Sequence, residues 1–359
     1  MKSTVQVEIL LPLKDGEAYL VEALRSLVQQ EYTHWNLAIL DGGSTDLSES
    51  ICRAFEKRDH RITFHSFPGT HPTKRINDFI LAAPPDKTKY IAFMHADDVA
   101  APQRILAQVS HLEKHGELRL LGTGTHFFVH EKQLPAVHQY SGYSAYPMGP
   151  ENIRRRMPFF WCFSLPSIMF HRSIVAADRL TFDEELQFCG DYAWFFHVAD
   201  RYPTDNLREP LLSYRHHHAS DGPLNKDALD QENRQLRLRL LKTRFPRLET
   251  GDIAVLGAIC FEPEMTLVRD KMTVRDIRRI LRRIASEDQE YESLIDEYLG
   301  KMKHTRFAHI CLGNRLEYEN AGEALTGMLV RLLTAIIPKR LHTRFIARPL
   351  LYVDTKLRP

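Results

Sequence analysis

The chain has 359 residues, with 48 Lys and Arg against 46 Asp and Glu and a hydrophobic content of 43%. That length is too great for one compact core and suits two domains, and the composition excludes a disordered chain. A net charge of +2 says little about partners by itself, and no nucleic-acid partner is expected. Cys52, Cys162, Cys189, Cys260 and Cys311 are scattered, odd in number and without a CxxC pair. They imply neither a zinc site nor a disulfide framework, and a reducing compartment is the simpler reading. No apolar run approaches the roughly 20 residues that span a bilayer. The first residues are strand-like and do not read as a signal peptide. A cytoplasmic location is expected.

In chain order, Val5, Val7, Ile9, Leu10 and Leu11 read as a buried strand stopped by Pro12. Leu20, Leu24, Leu27 and Val28 repeat at helical spacing. Residues 37–40 form a second strand, and Asp46 can cap a helix that turns Ile51, Ala54 and Phe55 inward. A short strand at 62–64, a helix at 74–83 and a strand at 90–94 follow. Pro102 then opens a helix, and 120–125 is again apolar. Residues 132–160, rich in Pro, Gly, Tyr and Ser, suggest a mobile loop. Strands return at 167–170 and 211–215, with a helix at 191–201 between them. Alternating strands and helices predict an α/β fold with a doubly wound, mostly parallel sheet. After Lys226 the pattern is helical, with Leu229, Leu236 and Leu240 in a first helix and others near 274–284 and 316–337. Asp221-Gly222-Pro223 marks the break. The division is therefore 1–223 for the α/β domain and 224–359 for a helical region with a basic tail.

Two segments stand out. Asp41-Gly42-Gly43-Ser44-Thr45-Asp46 and His95-Ala96-Asp97-Asp98 each follow an apolar, strand-like run. Both put carboxylates at the sheet edge where ligands bind in open α/β folds. Two such acidic ends suggest a site for a nucleotide and a divalent metal. Each also has a plainer reading: Asp41 and Asp46 as turn and capping residues, and Asp97-Asp98 as a helix start before Pro102.

These segments belong to a longer series. It runs from 12–20 (PLKDGEAYL) through Asp41–Asp46, Asn77, His95–Asp98, Pro166–Phe170 and Phe182–Leu186 to Gly190-Asp191-Tyr192 and Tyr214-Arg215-His216-His217. In this order and spacing the first 220 or so residues resemble a family 2 glycosyltransferase of the GT-A fold. The resemblance implies an inverting transfer of a sugar from a nucleotide-diphosphate donor, a UDP-sugar first, to a hydroxyl of a glycan or lipid-linked acceptor. It implies that Asp41 accepts the imide hydrogen of uracil or thymine, with Pro12, Lys14 and Glu17 as the other wall of the base pocket. Arg75 and Asn77 would approach the donor, as would Ala96 and Arg215. Asp97 would hold Mn²⁺ or Mg²⁺ against the diphosphate, joined by His217, while Asp98 and His95 orient the site. A hard cation prefers such oxygen ligands and neutralises charge on the departing diphosphate.

An acceptor hydroxyl needs a base, and the resemblance implies Asp191, the Asp of a Glu-Asp pair whose Glu is Gly190 here. The plainer reading of Asp191 is an N-cap. Work of this class builds lipopolysaccharide, capsule or another surface glycan. From Arg331 onward Lys339, Arg340, Arg344, Arg348, Lys356 and Arg358 face a single acid, Asp354. That basic end suits peripheral contact with an anionic membrane, and equally a solvated helical face or a homodimer contact. The rivals are a nucleotide-sugar-binding module without activity and a nucleotidyltransferase. A dinucleotide-dependent oxidoreductase is less favoured, because no GxGxxG follows the first strand.

Overall fold

The structure is a computed structural model that describes residues 6–84, 88–129, 142–144, 146–159, 161–217, 225–253, 280 and 282–283. It opens with β1 (Val7–Leu13), α1 (Glu17–Val28), β2 (Trp35–Asp41), α2 (Ser48–Glu56), β3 (Ile62–Ser66), α3 (Pro72–Ala82) and β4 (Tyr90–Phe93). These strands pair in the order β3-β2-β1-β4, all parallel. Helices cover both faces, which is why the strands read as unbroken apolar runs. Alternate residues serve opposite cores. Leu10, Ala38, Leu40, Ile91 and Phe93 face one core. Ile9, Leu11, Leu37, Ile39 and Ala92 face the other, against Leu20, Leu24 and Leu27 of α1.

The first strand does not stop at Pro12. β1 pairs with β4 only through Leu10, while its register with β2 continues through Pro12 and Leu13. The missing N–H of proline therefore falls beyond the end of β4, where no strand needs it.

The second half is mixed. It comprises β5 (Val99–Ala100), α4 (Arg104–Lys114), β6 (Leu120–Val129), β7 (Gly142–Ser144), α5 (Pro150–Arg156), β8 (Met169–His171), α6 (Ser173–Ala176), α7 (Gly190–Arg201), β9 (Thr204–His216) and α8 (Lys226–Arg244). The sheet continues β4-β8-β6-β9-β5. β8 runs antiparallel to both β4 and β6, and β9 runs parallel to β6 and antiparallel to β5. β9 is much longer than the five residues expected. Its Pro210 sits opposite Gly124, where the β6–β9 register shifts, so the strand survives it. Val99 pairs with Ser213, which brings Tyr214 and Arg215 beside Asp97 and Asp98. The expected loop at 132–160 holds β7 and α5. Residues 130–141 lie outside the described set.

The chain divides into compact units at 1–246 and 247–359. α8 packs in the first unit, with Leu236 and Leu240 in the core that contains Trp194. The break expected at 223/224 thus precedes a helix that shares the α/β core. In the second unit Arg283 pairs with Asp252 at 2.5 Å and Glu249 at 3.2 Å. The helix expected at 316–337 and the basic tail lie outside the described residues. Among described residues no helix is long and apolar enough to cross a membrane.

Candidate active site

Beyond β4 the chain leaves the sheet through His95-Ala96-Asp97-Asp98 and re-enters as β5. One ligand atom each from His95, Asp97 and Asp98 lies within 4.8 Å of the others. Asp98 is buried. Its Oδ1 accepts the Arg215 N–H at 3.0 Å, while Oδ2 is buried without a hydrogen-bond partner. Burial and the neighbouring Asp97 hold the Asp98 carboxyl well above its ordinary pKa. An orphaned buried oxygen beside a second carboxylate is a poor arrangement by itself and a fitting one for a cation. Two carboxylates and an imidazole suit a divalent ion of intermediate hardness.

His95 and Asp98, expected to orient the site from behind, are themselves in this donor cluster. His217, expected beside Asp97 in the metal shell, meets Asp97 directly: its Nε2 is 2.9 Å from Asp97 Oδ2. Burial raises the Asp97 pKa, but the His217 bond and the nearby imidazoles outweigh it and leave the net shift downward. Arg215 donates from Nε to the Asp97 carbonyl at 2.8 Å and from Nη2 to Glu22 at 2.5 Å. Its guanidinium lies over the rings of Tyr19 and Phe128. Behind the cluster Arg104 is fully buried and donates to the Phe93 carbonyl at 2.7 Å. Burial pushes its pKa down to about 10.

The β1 and β2 exits are laced together. Asp15 takes a left-handed backbone, φ 48°, and its carboxylate accepts the Thr45 N–H at 2.7 Å. Asp46 accepts the Glu17 N–H, and Glu17 accepts the Leu47 N–H. Glu17, expected in the base pocket, thus ties the two loops. Lys14 is exposed at the rim and Pro12 is partly covered. Asp41 folds over its own turn and accepts the N–H groups of Gly43 and Ser44 and the Ser44 hydroxyl.

Arg75 of α3 is buried beneath this turn. It donates to the carbonyls of Thr70 and Leu13 at 3.0 and 3.2 Å, and its Nε has no partner. A Cβ added to Gly42 would stand 2.4 Å from Arg75 Nη1. The glycine thus makes room for the guanidinium. Asn77 is placed elsewhere. Its amide donates to the Phe182 carbonyl and Glu184 at 2.9 Å and accepts the Phe182 N–H at 3.1 Å. All its polar atoms are committed to that segment, so Asn77 is a strut between α3 and the approach to α7.

Asp191 lies in the first turn of α7 and accepts the Tyr192 N–H at 2.8 Å. Burial raises its pKa to about 7, and only backbone N–H groups oppose the shift. Asp191 is half-buried, no cation among the described residues opposes the shift, and a carboxylate so placed is a stronger base than one in water. Tyr214 links the two acidic ends. Its phenol is pushed upward by burial and then by Asp98, Asp97, Tyr146 and Asp191. The carboxylates of both motifs therefore act on a single half-buried side chain.

Sequence reasoning missed Tyr214, Arg104 and Glu22 as members of the site. In the sequence Tyr214 reads only as the start of the Tyr-Arg-His-His run. The other two sit at ordinary helix positions, with no local signal of their burial or pairing.

A mostly parallel sheet with acidic loops at its carboxyl edge is the architecture of a nucleotide-binding α/β enzyme, of which GT-A is one form. Residues 8–177 match the family model described as glycosyl transferase family 2. The chain is similar to an uncharacterized glycosyltransferase of Haemophilus influenzae, 26% identical over 60% of this chain and 67% of that one. It is also similar to the O-antigen biosynthesis glycosyltransferase WbnJ of Escherichia coli, 23% identical over 60% and 81%. By fold it resembles S. aureus TarS 1-349, solved in complex with UDP-GlcNAc, with a TM-score of 0.55 at 14% identity over 86% and 88% of the two chains. Residues 8–177 are thus a glycosyl transferase family 2 domain, and the relatives of the chain are named glycosyltransferases.

Proposed function

We propose that this enzyme moves a sugar from a nucleoside-diphosphate donor, UDP-linked first, to a hydroxyl of a glycan or lipid-linked acceptor, with inversion. The observation that carries the reading is Asp191, a half-buried carboxyl in the first turn of α7 whose pKa burial raises to about 7, with no cation among the described residues opposing that shift. It acts on the same Tyr214 phenol as Asp97 and Asp98. A carboxyl balanced near neutrality can take the proton of an acceptor hydroxyl as the new bond forms. In-line attack from the side opposite the diphosphate gives the inverted product.

His95, Asp97 and Asp98 would hold a divalent cation, Mn²⁺ or Mg²⁺, which supplies charge neutralisation at the diphosphate. His217 and Arg215 fix the Asp97 carboxylate and carbonyl. Asp41 and the buried Arg75 line the base end. The basic residues from Arg331 onward would bring the enzyme to an anionic membrane, where lipid-linked acceptors reside.

The test is a turnover assay on a panel of UDP- and dTDP-sugars, with and without Mn²⁺. Metal-dependent release of nucleoside diphosphate that disappears in Asp191→Asn supports the reading. Nucleotide binding without release, under every acceptor tried, replaces it with a binding module.

A further inference from the structure

Helix α8 sends a carboxylate into the segment that leads to Asp191. Glu232 Oε2 accepts the Gln187 N–H at 2.8 Å. Its Oε1 accepts the N–H groups of Phe188 and Cys189, both at 2.7 Å. Cys189 is the residue at which α7 begins, and no side chain of its own caps the helix. Main-chain donors at a helix start have no intrahelical acceptor, and an anion there is favoured by both hydrogen bonding and the helix dipole. Residue 190 carries no side chain, and a Cβ there would meet the Asp183 carbonyl at 3.3 Å. The carboxylate that serves this helix start is thus supplied from 43 residues beyond Cys189.

One turn further along α8, Arg237 lies over the Tyr192 ring at 4.9 Å and donates to the Phe159 carbonyl at 3.1 Å. Helix α8 therefore grips the chain on both sides of Asp191, at Cys189 and at Tyr192. Its packing into the core is supplied separately, by Leu236 and Leu240.

We infer that Glu232 is a positioning residue for the base: by pinning residues 187–189 it sets the first turn of α7 where the half-buried Asp191 carboxyl is partly shielded from water. The inference rests on the assignment of Asp191 as the base. Among the described residues, the titratable groups that interact with Asp191 are Tyr214 on β9 and Cys189 on its own segment, with Glu232 and Arg237 of α8 acting on Cys189. None of these is a cause of the Asp191 shift, which comes from burial, opposed by the N–H groups of Tyr192 and Asp191. Glu232 acts through placement and hydration rather than through its charge. With the segment loosened, water reaches Asp191 and its pKa falls from about 7 toward the ordinary 3.8.

The experiment compares the full-length wild type, Glu232→Ala and Glu232→Gln. Each is assayed with Mn²⁺ and the panel sugar that gives the fastest wild-type release. The pH dependence of kcat/KM is recorded alongside hydrogen exchange of the 187–192 backbone. In Glu232→Ala, kcat is expected to fall about 10- to 100-fold with donor KM unchanged, as a weakened base requires. The acidic limb of kcat/KM moves to lower pH by about one unit or more, and exchange at 187–191 accelerates. Glu232→Gln keeps one acceptor oxygen and turns a donor toward Gln187, so its limb falls between the two. It also supplies the readout should the alanine variant fold poorly.

An acidic limb that stays in place in the folded variants, even with activity reduced in step with the folded fraction, overturns the positioning role and leaves the base assignment standing. Full activity in Asp191→Asn, or no release by the wild type, removes the base assignment and this inference with it. Neither of those results depends on position 232.

Discussion

His217 Nε2 stands 2.9 Å from Asp97 Oδ2, across 120 residues of chain. The Tyr19 ring packs on the imidazole at 4.7 Å, so the bond is held from outside as well. The carboxylate of Asp97 is thereby oriented before any ligand arrives, in the cluster it forms with His95 and Asp98. Preorganisation of this kind lowers the cost of binding a cation.

On the proposed reading, Asp97 is the residue whose loss removes the cation. Asp97→Asn should lower Mn²⁺-dependent turnover by about 100-fold or more, since charge neutralisation at a diphosphate is worth several kcal/mol. Calorimetric titration of Mn²⁺ into the protein gives a readout independent of activity. Unchanged Mn²⁺ binding in Asp97→Asn would place the ion elsewhere.

For Asp191 the pH profile is the sharper measure. Only the ionised carboxylate accepts a proton, so kcat/KM should rise with pH through about 7 and level off above it. Asp191→Asn should cost about 10²- to 10⁴-fold and abolish that limb. A wild-type limb near pH 4 would show the carboxyl to be hydrated.

The same group should tell on stability. Its folded pKa, about 7, is above the ordinary 3.8, so the folded state binds this proton more tightly than the unfolded chain. That contribution is fully present below pH 3.8 and is lost as pH rises through about 7. Asp191→Asn escapes the loss. Its stability relative to wild type should therefore be near neutral at pH 4 and most favourable at pH 8, by at most ~4 kcal/mol. Denaturant unfolding at the two pH values checks this. An equal difference at both contradicts the raised pKa.

Asn77 separates a structural role from a donor contact. Asn77→Ala strands the Phe182 N–H and carbonyl in the core and should destabilise the protein by about 2–3 kcal/mol. Donor KM should stay unchanged in the folded variant. A raised donor KM with an unshifted urea midpoint would return Asn77 to the donor site.

How far the chain could be read in advance differs by element. β2 was legible because 37–40 is apolar throughout, and a buried parallel strand requires that. The end of β1 was misplaced by Pro12, since nothing nearby reveals that β4 has already ended. Helix α8 was recognised from Leu229, Leu236 and Leu240, yet was assigned to the following region. Its packing against α7 is a contact between distant segments. The 132–160 stretch looked like loop because short elements such as α5 leave little periodic signal.

The sequence by itself determined the alternation of strands and helices, the acidic exits at Asp41 and Asp97, and the presence of Asp191 at a helix start. These follow from residue periodicity and strand-end chemistry, which act over a few neighbours. Tertiary structure alone decided that Asp191 is partly desolvated, that His217 bonds Asp97 directly, that Asn77 serves Phe182, and that Glu232 meets the start of α7. Desolvation and side-chain pairing depend on what folds against a group, and for these residues that material comes from 43 to 120 positions away.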